Sequence, residues 1–165
     1  MRNRAIFLDR DGTIIVDKGY IYRTEEIDLL PKVIDALQIF QKKGYLLIVI
    51  TNQSGVGRGY YKVEDVILFN NALKCKLKKY NVIISDFFVC MHTPDDKCIC
   101  RKPSPYLINK AIAKYSVDPE QSFMFGDKYT DVICGENAHV RSFLITEEHS
   151  LYYWSKVIEK NEHGI

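Results

Sequence analysis

No stretch of this sequence is apolar for long enough to cross a membrane. The longest such run, Tyr45 to Ile50, falls far short of the roughly 20 residues a spanning helix needs. Net charge is almost lacking too: at +2 it gives no reason to look for nucleic acid or a membrane surface as a partner. There is no internal repeat and no low-complexity segment, which removes solenoids and disordered linkers from consideration. Met1-Arg2-Asn3-Arg4 leads into only a few apolar residues before Asp9, so no signal peptide is expected. The chain is therefore read as cytoplasmic and its five cysteines as reduced. What is present is 165 residues, 47% of them hydrophobic, enough for a single domain over residues 1–165 with a sizeable core.

The apolar pattern alternates short buried strands with helices. Ile6 to Leu8, Tyr45 to Ile50, Phe87 to Val89, Phe123 to Phe125 and Arg141 to Ile145 read as strands. Between them, Val33, Leu37 and Phe40 repeat at helical spacing up to Gly44. Val66, Phe69, Leu73 and Leu77 do the same in a helix from about Val63 to Tyr80. Ser104 as N-cap with Pro105 at the first helical position starts a helix whose apolar face is Ile108, Ala111, Ile112 and Tyr115. Helices near 130–138 and 151–159 complete the alternation, with Tyr152, Tyr153 and Trp154 as the docking face of the last. Cys75 and Cys134 fall in helices and read as buried thiols. His139, His149 and His163 have no partner pattern and receive no role. The expected fold is α/β, a parallel sheet covered by helices on both faces, and ligands of such sheets bind beyond the carboxyl ends of the strands.

Those ends carry the chemistry. Asp9 and Asp11 follow the first strand with Gly12 beside them, and two like charges so close call for a cation. Hard oxygen ligands favour Mg²⁺, with Asp127 after the fourth strand completing the set. Asp131, four residues on, is placed to orient a ligand or a lysine. Thr51 and Asn52 offer a hydroxyl and an amide to phosphoryl oxygens, and Lys102 offers positive charge. Gly55, Gly57 and Gly59 lack the G-K-[ST] ending of a nucleotide-binding P-loop. A second metal is suggested by Cys90, His92, Cys98 and Cys100, three thiols and one imidazole in the proportions of a closed structural Zn²⁺ site. Disulfides are the rival reading, disfavoured in a cytoplasmic chain.

Taken together, Asp9-Arg10-Asp11-Gly12-Thr13, Thr51, Lys102 and Gly126-Asp127 with Asp131 resemble the four motifs of the haloacid dehalogenase superfamily of phosphohydrolases, across the chain from about Ile6 to Asp131. The resemblance implies a Rossmann-like fold with a minimal cap, Asp9 as a nucleophile forming an aspartyl phosphate, and Asp11 as acid and then base, with Thr51 and Lys102 completing the catalytic set. A carboxylate at Asp11 fits an alkoxide leaving group, hence a phosphatase rather than a dehalogenase.

The cysteine-rich loop, residues 90–103, narrows the likeness. With Val16-Asp17-Lys18-Gly19-Tyr20, Thr51-Asn52-Gln53-Ser54-Gly55, Arg58-Gly59 and Cys100-Arg101-Lys102-Pro103 it is similar to a small branch that holds heptose-bisphosphate and histidinol-phosphate phosphatases. That implies Mg²⁺-dependent removal of the 7-phosphate of D-glycero-D-manno-heptose 1,7-bisphosphate, a step towards nucleotide-activated heptose and lipopolysaccharide. Substrate contacts are implied at Asp17, Lys18, Gly19, Tyr20, Thr51, Asn52, Gln53, Ser54, Arg101, Lys102 and Lys128. The five residues between His92 and Cys98 match the histidinol phosphatases better, so histidinol phosphate is the alternative substrate. A non-catalytic zinc-bearing module is the alternative of another class, but it has no use for Asp9, Asp11, Thr51, Lys102 and Asp127 together. A monomer acting on a small phosphorylated sugar, with neither nucleic acid nor membrane as partner, is expected.

Overall fold

A computed structural model of the chain describes residues 2–161, so His163 lies outside the described residues. Five strands form one sheet: β1 (Arg4–Leu8), β2 (Tyr45–Asn52), β3 (Ile84–Cys90), β4 (Phe123–Gly126) and β5 (Arg141–Leu144). Their order is β3-β2-β1-β4-β5, and every neighbouring pair is parallel.

Period-two alternation explains why β1 sits in the centre. Ile6 and Leu8 point to one face, with Leu47, Val49, Phe123 and Phe125; there they meet α1 (Val33–Lys42), α2 (Val63–Lys78) and α5 (Leu151–Lys160) through Leu37, Phe40, Phe69, Leu73, Leu151 and Ile158. Ala5 and Phe7 point to the other face, with Ile48, Ile50 and Met124. They meet α3 (Tyr106–Tyr115) and α4 (Tyr129–Asn137) through Leu107, Ile108, Ala111 and Cys134. Both faces are thus dry, and each fully buried large apolar side chain contributes about 1.5–3 kcal/mol relative to leaving it in water. Local chemistry sets the helix ends. Glu64 and Asp65 lie in the first turn of α2, where Asp65 accepts the Lys62 N–H at 2.7 Å, and Lys76 and Lys78 lie in its last, as the dipole prefers. Gly44 ends α1 at φ +83°, a conformation that suits glycine.

After β3 the chain crosses to the far side of β1, so the strand order reverses between β1 and β4. A crevice opens at such a reversal, at the carboxyl ends of the strands. Asp9 and Asp127 leave those two ends, and the Asp9 N–H is tied to the Phe125 carbonyl at 2.9 Å.

Four local expectations are corrected. β3 begins at Ile84 rather than Phe87, because Ser85 and Asp86 break the apolar run while the backbone still pairs with β2. Cys75 is exposed: the α2 stripe through Leu73 and Leu77 leaves position 75 on the opposite side of the helix. Pro105, not Ser104, is the N-cap of α3, although the Ser104 hydroxyl, which donates to the Ile99 carbonyl at 2.5 Å, still accepts the Tyr106 N–H at 3.3 Å at the helix start. In α5, Tyr152 and Trp154 pack on the core as expected, while Tyr153 is exposed. Among the described residues no helix is long and apolar enough to cross a membrane.

Candidate active site

Lys102 sits at the centre of the rim, buried with only 4% of its surface exposed. Its Nζ lies 2.7 Å from Asp9 Oδ1 and 2.6 Å from Asp131 Oδ1, and it donates to the Ile50 carbonyl at 2.8 Å. Burial alone would strip its proton, but Asp9 and Asp131 together raise its proton affinity above the ordinary lysine value. It is held as a cation. The loop that carries it is fastened by Asn52, whose Oδ1 accepts the Lys102 N–H at 3.1 Å. Asp131 uses its second oxygen to accept the Lys128 N–H at 3.0 Å at the start of α4. Gly126 is what lets it in: a Cβ there would stand 2.3 Å from the Asp131 side chain.

Asp9, Asp127 and Asp131 bring carboxylate oxygens within 4.8 Å of one another. Asp131 has both oxygens engaged, which leaves Asp9 and Asp127 to meet a cation. Asp127 Oδ1 is buried and has no hydrogen-bond partner, and burial, then the charge of Asp9, pushes the Asp127 carboxyl up to about 6. Burial likewise raises the proton affinity of Asp9 against the pull of Lys102. The orphaned Asp127 oxygen beside the desolvated Asp9 carboxylate fits Mg²⁺, whose charge would relieve both groups. Gly12 makes the approach possible: at φ +82° its absent Cβ would lie 2.3 Å from Asp127 Oδ2.

Asp11, expected with this pair, turns its carboxylate elsewhere. Arg10 forks it with Nε to Oδ1 at 2.9 Å and Nη2 to Oδ2 at 3.0 Å, and Gln53 Nε2 donates to Oδ2 at 2.8 Å. Gln53 Nε2 also donates to Thr51 Oγ1 at 2.9 Å, which leaves the Thr51 proton for another acceptor.

These groups open onto a cavity of about 630 Å³. Of the expected substrate contacts, Asp17, Gly19 and Tyr20 reach it from the 17–20 flap, Asn52, Gln53 and Ser54 from beyond β2, and Arg101, Lys102 and Lys128 from the loops opposite. Lys18 points away from it and pairs with Asp28 at 3.3 Å, while Thr51 is buried behind Gln53. The cavity also takes in Tyr61, Thr93, Lys97 and Thr130, which the motifs did not single out. For Tyr61 a clue existed in Gly55, where a Cβ would lie 2.2 Å from the Tyr61 ring.

Cys90, His92, Cys98 and Cys100 form a second cluster beside the cavity. Cys90 Sγ lies 3.6 Å from Cys98 and 3.1 Å from Cys100, Cys98 lies 3.7 Å from Cys100, and His92 Nδ1 lies 3.3 Å from Cys100 Sγ. A tetrahedron of thiolates at Zn–S distances of about 2.3 Å has edges of about 3.7 Å, close to this arrangement. Disulfides need about 2.05 Å, and all five cysteines are free. Without a metal the set is unfavourable as thiolates. Burial, then the neighbouring thiols, pushes Cys90 up to about 12, and burial raises Cys100 as well. Cys98, despite its desolvation, is held below the usual value by the N–H groups of Cys100 and Arg101.

A family model described as HAD-hydrolase-like matches residues 99–151. A D-glycero-beta-D-manno-heptose-1,7-bisphosphate 7-phosphatase of Helicobacter pylori is 39% identical over 150 residues, 90% of this chain and 87% of that protein. A D-glycero-alpha-D-manno-heptose-1,7-bisphosphate 7-phosphatase of Photorhabdus laumondii is also 39% identical, over 88% of this chain and 84% of the relative. Among solved structures, a D,D-heptose 1,7-bisphosphate phosphatase of B. bronchiseptica, complexed with magnesium and phosphate, superposes with a TM-score of 0.85 at 22% identity, covering 96% of this chain and 99% of that one.

Proposed function

This chain belongs to the haloacid dehalogenase-like hydrolases, in the family of the heptose-1,7-bisphosphate 7-phosphatases, and from that membership we propose that it removes the 7-phosphate of D-glycero-D-manno-heptose 1,7-bisphosphate. The reaction class is phosphoric monoester hydrolysis, and the product feeds nucleotide-activated heptose synthesis. The observation that carries the reading is Asp9, a buried carboxylate on the cavity wall with the Lys102 cation at 2.7 Å.

Asp9 attacks phosphorus, forming an aspartyl phosphate as the bond to the sugar oxygen breaks. Asp11 gives that oxygen its proton and then takes one from the water that cleaves the aspartyl phosphate. Lys102, Arg101 and the Asn52 amide take up the charge spreading over the transferring oxygens. Asp131 keeps Lys102 in place. Asp9 and Asp127 would hold Mg²⁺, which when bound supplies charge neutralisation between the anionic nucleophile and the anionic phosphate; the magnesium and phosphate of the B. bronchiseptica structure support this assignment. Cys90, His92, Cys98 and Cys100 would hold Zn²⁺ with no open position for catalysis, so that metal would serve to stiffen the loop that delivers Arg101 and Lys102. Asp17, Gly19, Tyr20, Gln53, Ser54 and Lys128 are assigned to the sugar and its phosphates. The protein is taken as one cytoplasmic, monomeric domain with no nucleic-acid partner.

The test is phosphate release, with Mg²⁺ and with Asp9→Asn as the blank, from the α and β anomers of the heptose bisphosphate and from histidinol phosphate. Strong preference for one heptose anomer is the expected result. Preference for histidinol phosphate would replace the substrate, and release from none of them would overturn the proposal.

A further inference from the structure

Asp11 is gripped by a buried scaffold that runs well beyond the carboxylate itself. On one side stands Arg10, with 0% of its surface exposed. Its guanidinium forks Asp11, donates through Nη1 to Asn70 Oδ1 at 3.0 Å on α2 and through Nη2 to the Ile21 carbonyl at 3.4 Å, and lies 4.3 Å over the Phe69 ring. On the other side stands Gln53. The nitrogen of the Gln53 amide faces Asp11, donating to Oδ2 at 2.8 Å, and the amide oxygen faces away. That oxygen is met by the Tyr61 hydroxyl, which donates to Oε1 at 3.0 Å.

The tyrosine is itself fixed. Its ring stacks on Tyr22 with centroids 5.0 Å apart and planes 21° from parallel, and the missing side chain of Gly55 leaves the slot it occupies. Tyr22 directly continues the 17–20 flap, and Ile21 between them supplies the carbonyl that Arg10 holds. Both supports of Asp11 therefore end on the same short segment.

We propose that Tyr61, acting through Gln53, is a positioning residue for Asp11, and that its stack on Tyr22 links the aim of that carboxylate to the flap over the cavity. The proposal rests on the reading of Asp11 as acid and base. Removing the tyrosine hydroxyl leaves Gln53 Oε1 without its donor, and the amide is then free to turn. Once turned, it presents an oxygen to Asp11 and repels it. The nucleophile, Lys102 and the metal-facing oxygens of Asp9 and Asp127 are untouched by this change.

Tyr61→Phe keeps the ring and its stack, and is compared with wild type on two phosphate monoesters. An alkoxide leaving group, from the heptose bisphosphate or glycerol phosphate, needs the Asp11 proton; p-nitrophenolate leaves without it. The expected result is a fall in kcat for the alkyl ester of about 10-fold with KM within about twofold, as a misaimed acid produces. The pre-steady-state burst of p-nitrophenol falls much less. In an Asp11→Asn background Tyr61→Phe costs nothing further on the alkyl ester, because the group it aims is gone. Equal losses on the two esters, a change in KM alone, or additive losses with Asp11→Asn would each overturn the proposal. Should Tyr61→Phe not fold, Gln53→Met takes its place, read only by the ratio of kcat on the two esters and by its coupling to Asp11→Asn, because Gln53 also faces the substrate and its KM is expected to move. A wild-type protein active on the simple esters but not on heptose bisphosphate would sink the substrate reading and leave this test standing. One active on neither would sink both.

Discussion

The carboxylate rim and the cysteine loop both gather four titratable side chains around a point, and they do so by opposite means. Cys90, His92, Cys98 and Cys100 come from the end of β3 and the short loop after it, where closure costs little chain entropy and the four ligands include no cation of their own. Asp9, Lys102, Asp127 and Asp131 come from three separate strand ends, and their cation is part of the chain. The sheet holds the second cluster in place before any ligand arrives. The first has no such internal counter-charge: burial raises the proton affinity of two of its three thiols, Cys90 and Cys100, so a Zn²⁺ of the kind proposed would be what ionises them. Lys102 belongs to both, as it follows Cys100 by two residues and reaches into the rim.

Lys102→Met strikes the comparison hardest. It leaves Asp9 and Asp131 facing each other without their counter-ion, and breaking a buried pair in this way costs about 3–5 kcal/mol. Phosphate release falls by about 10²-fold or more as well, because a preorganised charge at the transferring phosphoryl group is lost. Urea unfolding and a turnover assay on the same preparation read both effects. If stability is unchanged, the rim is not held by its internal cation, and the contrast with the cysteine loop fails.

Removing the Zn²⁺ proposed for the loop is the next largest perturbation, and its expected effect is local. After chelation verified by metal analysis, hydrogen exchange rises over residues 90–102, while amides of β1, β2 and β4 keep their protection. The melting temperature falls by about 4 °C or more, the shift that one to two kcal/mol gives in a protein of this size. An unchanged melting temperature after verified loss of metal would mean that the loop is held by its protein contacts alone. Those contacts include the Gln53 N–H on the Cys90 carbonyl at 2.7 Å, the Gly57 N–H on the Met91 carbonyl at 3.0 Å, Arg101 on the His92 carbonyl at 3.2 Å and the Lys102 N–H on Asn52 at 3.1 Å.

The same contrast decides what the sequence made legible. Four ligand types within one loop announce themselves by spacing, and the period-two and helical patterns were enough for the parallel sheet, because β1, β2 and β4 are apolar on both faces. The rim was legible only as separate strand-end motifs; that Lys102 lies between Asp9 and Asp131 depends on how two loops pack across the β1–β4 reversal. Asp11 shows the limit most clearly. Its position in the first motif points towards Mg²⁺, yet its neighbour Arg10 takes the side chain, with Asn70 contributed by a helix sixty residues on. Lys18 and Cys75 were misplaced for a related reason, since a residue's own type does not say which side of a flap or helix it takes.

The smallest prediction isolates burial from charge. Asp86 on β3 accepts from Lys114 Nζ at 2.7 Å and from the Tyr115 hydroxyl at 3.0 Å, a carboxylate, an ammonium and a hydroxyl as closely paired as the rim's, but on the surface. Partial burial works to raise its pKa, yet Lys114, the Phe87 N–H and Tyr115 outweigh it and hold the carboxyl below its ordinary value. A group depressed on folding contributes stability above its unfolded pKa and loses that contribution as the pH falls through the folded value. Asp86→Asn should therefore lower stability at pH 7 by about 0.5 kcal/mol, the scale of a solvent-screened pair. The gap from wild type should close as the pH drops below the usual carboxylate range. Unfolding of both proteins by urea from pH 7 down to pH 2 measures it. A loss of several kcal/mol at neutral pH would show that an exposed pair can do what Asp9, Lys102 and Asp131 do. The stability of the rim would then owe nothing special to its position between β1 and β4.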